Sequence, residues 1–228
     1  MEHICDAEGK RYALLRSADP KKDQTYMLYR LPQDILSYLV LPLSSDIKSE
    51  IKKAASADGL AVADRKESQE ICFIPDGDYA AYIEEKVGKF PEGEFVDTDG
   101  MVIGRHNGII RYTVGQRKGL GVSAGERVFV TDIDPVSNRI TLSPDGSYTD
   151  TVTVKDIVFS GMNEPAADTS IPVFVKLRYL APPIEATALF DGCGNARLKL
   201  SSPQKAVTPG QSAVMYDGDL LLCGGFIE

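Results

Sequence analysis

Apolar positions recur at helical spacing up to about residue 88 and thereafter alternate or cluster in short runs punctuated by Gly, Pro, Asp and Asn. Lys10 to Arg16 alternates weakly, like one strand of a hairpin whose partner precedes it. From Gln24 to Leu39 the residues Tyr26, Met27, Tyr29, Leu31, Ile35, Leu36 and Leu39 fit short helices broken near Pro32. Ser44-Ser45-Asp46 then predicts the cap of a longer helix carrying Ile47, Ile51, Ala54 and Ala55 on one face, with Gly59 as its stop. Asp76 predicts the cap of another, with Tyr79, Ala80, Ile83 and Val87 inward and Gly88 at its end.

Beyond Gly88 the pattern predicts strands. Short ones are expected around Phe95-Val96, at Met101 to Gly104 after a Thr98-Asp99-Gly100 turn, and at Gly108 to Val114. Arg127 to Asp134 and Arg139 to Ser143 flank a turn opened by Pro135 and read as a hairpin. Six further strands follow at regular intervals, over 152–159, 171–179, 184–190, 195–200, 211–217 and 220–227. That rhythm predicts a small barrel or sandwich.

Composition narrows the classes. The 228 residues are 43% hydrophobic, enough for one large domain or two to three small ones, and the net charge of −8 argues against a basic surface coating nucleic acid or anchoring at a membrane. No apolar run approaches the roughly 20 residues that span a bilayer, and Met1 to Cys5 has neither the basic region nor the apolar core of a secretory signal. Cys5, Cys72, Cys193 and Cys223 are scattered; with His3 and His106 they form no metal-ligand spacing, so no metal is expected, and reduced cysteines in a cytoplasmic protein are the plain reading.

Cys72 stands where the polar run Lys66 to Glu70 gives way to Ile71, Phe73 and Ile74. A cysteine in such company is more often a buried small hydrophobe than a nucleophile, and Glu67 and Glu70 disfavour its thiolate. The loop Gly115-Gln116-Arg117-Lys118-Gly119-Leu120-Gly121 has glycines that allow close backbone approach and two cations for phosphate or RNA. It matches neither a Walker A loop nor a dinucleotide fingerprint, and turn formation explains its glycines equally well. On Val173 to Tyr179, period two predicts Val173, Val175 and Leu177 on one face and Lys176 and Arg178 on the other; Arg197 and Lys199 repeat the scheme. These four cations could share one RNA-facing side, with Tyr179 stacking on a base, or could be ordinary solvated barrel positions.

Four ordered blocks carry a family likeness: Lys22 to Tyr29 (KDQTYMLY), Glu67 to Ile74 (ESQEICFI), Gly115 to Gly121 (GQRKGLG) and Ala206 to Val214 (AVTPGQSAV). In order and spacing they resemble the bacterial tRNA-specific 2-thiouridylases, the MnmA family, over essentially the whole chain. The likeness is to the family's later part. Of the ATP-pyrophosphatase-type domain at the family's start, neither the S-G-G-V-D-S phosphate loop nor the first catalytic cysteine occurs in this sequence.

The resemblance implies that ATP, bound by the part not represented here, adenylates the C2 oxygen of a wobble uridine in tRNA. A persulfide on the family's second cysteine, matched by Cys72, then delivers sulfur to C2, with a sulfur-carrier protein as donor. Its tRNA contacts match Lys22, Asp23, Gln24, Arg178, Tyr179 and Gln211; Arg117 and Lys118 are possible further phosphate contacts. The implied architecture is α+β and multidomain. Residues 1–70 would be the helical tail of an α/β nucleotide-binding domain, 71–147 a small mixed central tRNA-binding domain, and 148–228 an all-β barrel. Such a chain is expected to be inactive alone and to leave Met27, Leu31 and Leu36 uncovered. A non-catalytic tRNA-binding module is the alternative.

Overall fold

The computed structural model describes residues 2–6, 9–60, 74, 77–122 and 127–228. The fold is α+β, with few helices, a mixed sheet and a closed barrel. The chain divides into two compact units: residues 1–65 join 150–203 and 208–228 in one, while 66–149 and 204–207 form the other.

The first unit opens with an antiparallel hairpin, β1 (Glu2–Asp6) and β2 (Gly9–Ala13). Helix α1 (Thr25–Leu28) and helix α2 (Gln33–Tyr38) follow, parted at Pro32, which cannot donate into a continuing helix and instead opens α2. Helix α3 (Lys48–Ala57) ends as expected: Gly59 takes φ +71°, and the N–H groups of Gly59 and Leu60 reach back to Ser56 and Ala55. Its start differs. No side chain of Ser44, Ser45 or Asp46 caps it; Asp19, far upstream, accepts from the Lys48 N–H at 3.1 Å. A sequence window cannot see a cap that arrives from another turn.

The second unit holds α4 (Tyr79–Val87), β3 (Gly93–Val96), β4 (Val102–His106), a 3₁₀ turn (Ile109–Arg111), β5 (Phe129–Asp134) and β6 (Arg139–Ser143). The helix is capped by Asp78, which accepts from the Ala81 N–H at 2.9 Å; the expected cap, Asp76, lies outside the described residues. Of its expected inward face only Ala80 is buried, whereas Tyr79, Ile83 and Val87 are exposed. The strands run β4-β3-β6-β5, with β3 and β6 parallel, over a core of Phe95, Leu120, Val130, Ile140 and Leu142. Gly108 to Val114 forms no strand: Gly108 at φ +96° turns the chain, and Tyr112 spends its N–H on Ile109.

His106 is buried in this unit beneath the rings of Phe95 and Tyr112. Its Nε2 meets the Asn138 carbonyl at 3.2 Å, and Nδ1 has no partner among the described residues. Burial holds its pKa below the ordinary 6.5, partly offset by the Asn138 contact. The native ring therefore stays neutral where the unfolded one takes up a proton. Stability contributed by the neutral ring is complete well above pH 6.5 and declines as the pH falls toward the lowered native value. Thermal melts between pH 7.5 and 5, at about half-unit steps, should show this decline in the parent and a shallower one in His106→Leu.

The barrel of the first unit uses β7 (Tyr148–Phe159), β8 (Thr169–Lys176), β9 (Ile184–Phe190), β10 (Ala196–Lys205), β11 (Ser212–Asp217) and β12 (Leu220–Ile227), closed in the order β10-β7-β12-β11-β8-β9. β9 and the first half of β10 alternate buried and exposed positions, the mark of a strand wet on one side. In β11, four successive residues from Ala213 to Tyr216 are buried. The reason is the N-terminal segment. Leu14, Tyr26, Tyr29 and Leu36 pack with Val214, Tyr216 and Leu221, covering the barrel's outer face. Leu221 N–H donates to the Leu14 carbonyl and Arg16 N–H to that of Asp219, both at 2.9 Å. Leu36, expected to be uncovered, is thus fully buried against the barrel and Leu31 is partly buried; Met27 remains exposed.

Candidate functional site

The KDQ turn is built by two aspartates. Asp19 accepts from the Lys21 N–H through its side chain and from the Lys22 N–H through its carbonyl. Asp23 is buried, its side chain 1% exposed, and its carboxylate receives Thr25 N–H at 3.1 Å, Thr25 Oγ1 at 2.8 and 3.0 Å, and Arg16 Nε at 3.4 Å. Thr25 Oγ1 also meets the Tyr216 hydroxyl at 3.1 Å, so the turn is tied to β11. Asp23 therefore shapes this loop from beneath while Gln24 stands exposed above it. Lys22 and Gln24 line a cleft of about 420 Å³ with Leu28, Leu41, Lys48 and Lys52.

Helix α1 carries Tyr26 and leads to Tyr29, and both reach the start of β11. Tyr26 Oη donates to the Ser212 carbonyl at 2.8 Å, and Tyr29 Oη pairs with Ser212 Oγ at 3.0 Å. Across from them β8 ends at Lys176, and Arg178 and Tyr179 turn outward, closed by Ala181 N–H on the Arg178 carbonyl. The Tyr26 and Tyr179 rings lie 6.0 Å apart, and the Lys176 ammonium stands 5.9 Å from each centroid. Arg178 Nη2 contacts Thr208 Oγ1 at 3.4 Å, within the turn that precedes Gln211. Gln211 Oε1 is buried with no hydrogen-bond partner among the described residues. Burial raises the Tyr26 hydroxyl, with Tyr29 adding to it, and pushes Tyr216 up to about 12. Both phenols remain donors at neutral pH.

Asp23, Arg178, Tyr179 and Gln211 thus meet around one rim of the barrel unit, with Lys22 and Gln24 on the adjoining turn. Strand alternation placed Lys176 beside Arg178 on an open polar face, RNA-facing or solvated, and the structure corrects the openness: Lys176 is 6% exposed. Strand alternation presumes one wet side, and here the N-terminal segment covers it. Lys199 is exposed but pairs with Asp150 at 2.6 Å. The continuously apolar stretches Ala213–Tyr216 and Leu220–Cys223 were the available signal that both faces of these strands are covered.

Arg117 and Lys118 are exposed in the second unit, on a loop fixed by Gln116, whose side chain accepts from Thr113 N–H at 3.0 Å and donates to the Lys118 carbonyl at 3.0 Å. Gly115 and Gln116 pair with Val130, at 2.7 and 2.9 Å. Cys72 lies outside the described residues. Of the other cysteines, Cys223 is buried and its thiol is pushed up to about 12 by burial, which makes it inert; Cys193 is exposed. Among the described residues no cluster of His, Cys, Asp and Glu could hold a metal, and no helix is long and apolar enough to cross a membrane.

Neither of the longer helices presents an open first-turn phosphate site. The longer helices are α3 and α4, and at each the first-turn N–H that a phosphate would take is occupied by a carboxylate, Asp19 or Asp78. Among the described residues the glycine loop at 115–121 is followed by strand β5.

Three family models match the chain in succession. Residues 2–76 match a tRNA methyl transferase HUP domain, 80–144 a tRNA methyl transferase PRC-barrel domain, and 149–227 an aminomethyltransferase beta-barrel domain. The class is therefore that of chains combining a HUP-type segment with two β-rich modules. Among curated proteins, the tRNA-specific 2-thiouridylase MnmA of Clostridium acetobutylicum is 42% identical over 99% of this chain and 64% of its own length. A namesake from Caldanaerobacter subterraneus is 43% identical over 98% of the chain and 61% of its length, and that of Geotalea uraniireducens 42% over 98% and 59%. The chain belongs to the MnmA family, and it spans about three fifths of the length of these relatives.

Proposed function

We propose that this chain grips tRNA for 2-thiolation of the wobble uridine, and that Cys72 carries the transferred sulfur as a persulfide. The observation supporting the RNA part is the gathering of the Tyr26–Tyr179 ring pair, the Lys176 ammonium and the Arg178 guanidinium on one rim. Ring faces beside cations suit splayed single-stranded bases and their phosphates, the form in which an anticodon loop is read. In this reading Arg178 takes a phosphate, Tyr179 stacks, and Lys22, Gln24 and Gln211 make polar contacts. Asp23 holds their loop in shape, and Arg117 and Lys118 add a phosphate contact from the central domain. Residues 1–70 belong to a catalytic domain, 71–147 to the central tRNA-binding domain and 148–228 to the barrel.

Because the chain is acidic overall, binding rests on a few local cations and should be steeply salt-dependent. Anisotropy titrations of a wobble-uridine tRNA transcript against the full chain at rising salt should show affinity falling linearly on logarithmic axes. Arg178→Ala should weaken binding about tenfold and remove about one from the slope. Salt-independent binding, or none, overturns the reading.

A persulfide at Cys72 suits the chemistry, since polarizable sulfur attacks a base carbon at neutral pH better than an oxygen side chain does. A sulfur-carrier protein would load it, in the cytoplasm. The sequence holds no S-G-G-V-D-S phosphate loop, so this chain with ATP and a sulfur donor should form no thiolated tRNA. The carboxylate-capped helix starts favour a second reading, a non-catalytic tRNA-binding module. Incubation with a persulfide-loaded carrier decides: labelling lost in Cys72→Ala favours the sulfurtransferase. Absent labelling, with tRNA affinity unchanged in that variant, favours the module.

A further inference from the structure

We propose that the Lys176 ammonium is itself a ligand for the bound RNA, donating to an acceptor oxygen of a nucleotide seated at the Tyr26–Tyr179 ring pair. This rests on the tRNA reading and deepens it. Lys176 sits at the end of β8, opposite Val214 of β11, in a stretch where Val175, Lys176 and Leu177 are all buried. An ammonium carries three donors and no acceptor, and one on a side chain this little exposed has few waters to take its hydrogens. Among the described residues Lys176 has no acceptor at hydrogen-bond or ion-pair distance. What surrounds it is the two ring faces, each 5.9 Å from Nζ.

The nearby opposite charge is already committed. Asp23 lowers the cost of burying Lys176 through space, but its oxygens are taken by Thr25 and Arg16. Burial pulls the Lys176 pKa down and the positive charge of Arg16 adds to this, with Asp23 opposing both. A little-exposed cation beside two rings, with no acceptor among the described residues and adjoining exposed Arg178 and Tyr179, is organised for an acceptor that arrives with the ligand. Phosphate oxygens and pyrimidine carbonyl oxygens both supply it, and their salt signatures differ.

The test measures affinity for the wobble-uridine transcript over a salt series for the full-length parent, Lys176→Met and Arg178→Ala, with a thermal melt of each. Lys176→Met should bind on the order of tenfold or more weakly. A slope reduced by about one assigns the acceptor to phosphate, and an unchanged slope assigns it to a base carbonyl. A folded Lys176→Met that binds within about twofold of the parent overturns the proposal, while weakening by Arg178→Ala alone leaves the tRNA reading standing. If the parent fails to bind at all, both fall. Should Lys176→Met not fold, reductive methylation of the parent decides: tRNA should slow modification of Lys176, and an unchanged rate overturns the assignment.

Discussion

Asp23→Ala is expected to unfold the barrel unit at clearly lower urea than the parent, with a loss of about 3 kcal/mol. Removing the carboxylate leaves the Thr25 N–H buried without an acceptor, which by itself costs about 1–3 kcal/mol. It also strands Arg16 and Lys176 as like charges around Tyr216 and Tyr26. The Arg16 side chain is 21% exposed, so water recovers part of that charge, which sets the expectation at the low end of values for broken buried pairs. Asp23→Asn keeps the shape and an acceptor for Thr25 but loses the charge. It should fall between parent and alanine variant. Since Asp23 holds the turn carrying Lys22 and Gln24, tRNA affinity should drop in the same order, by about tenfold or more for alanine. A parental urea midpoint for Asp23→Ala would remove this carboxylate from the account of both stability and binding.

Much of this architecture was legible because its signals are local. Pro32 parts α1 from α2, Gly59 and Gly88 stop α3 and α4, and turn residues space the barrel strands, all within a few residues of where each acts. The misreadings were at places settled by distant contacts. The cap of α3 comes from Asp19, and the Gly108–Val114 segment is folded back by a local turn and an Arg111–Glu84 ion pair at 2.5 Å that no alternation pattern encodes. Lys176 was placed on an open polar face because its strand was read without the segment that covers it. The site was legible in part for the same reason. Strand alternation put Lys176 with Arg178 and pointed to Tyr179, and the motif resemblance supplied Gln211, whereas the approach of Tyr26 to Tyr179 and Lys176 appears only once α1 is docked on β11.

Two adjacent glycines in β12 make separable predictions, and that docking depends on the first of them. A methyl group at Gly224 would stand 2.7 Å from Tyr29 Cδ2 and 3.1 Å from the Ala213 carbonyl oxygen. One at Gly225 would overlap the Lys155 carbonyl on the β7 side and come within 2.8 Å of Val154 Cγ1. The register between β12 and β7 shifts here, between Gly224 and Phe226, so neighbouring chains approach more closely than side chains permit. Gly225→Ala should therefore strain barrel closure itself, by about 3 kcal/mol or more, because the obstacle is backbone that cannot turn aside. Gly224→Ala meets chiefly a ring. It should cost less, about 1–2 kcal/mol, and spend it on Tyr29 and its hydrogen bond to Ser212. The N-terminal segment then loosens while the barrel persists. Limited proteolysis should cut Gly224→Ala within residues 14–40 before the barrel is attacked, and tRNA affinity should fall although Arg178 and Tyr179 are untouched. If Gly224→Ala resists protease and binds tRNA as the parent does, the segment is not what assembles the RNA-contacting rim, and the barrel strands alone must carry it.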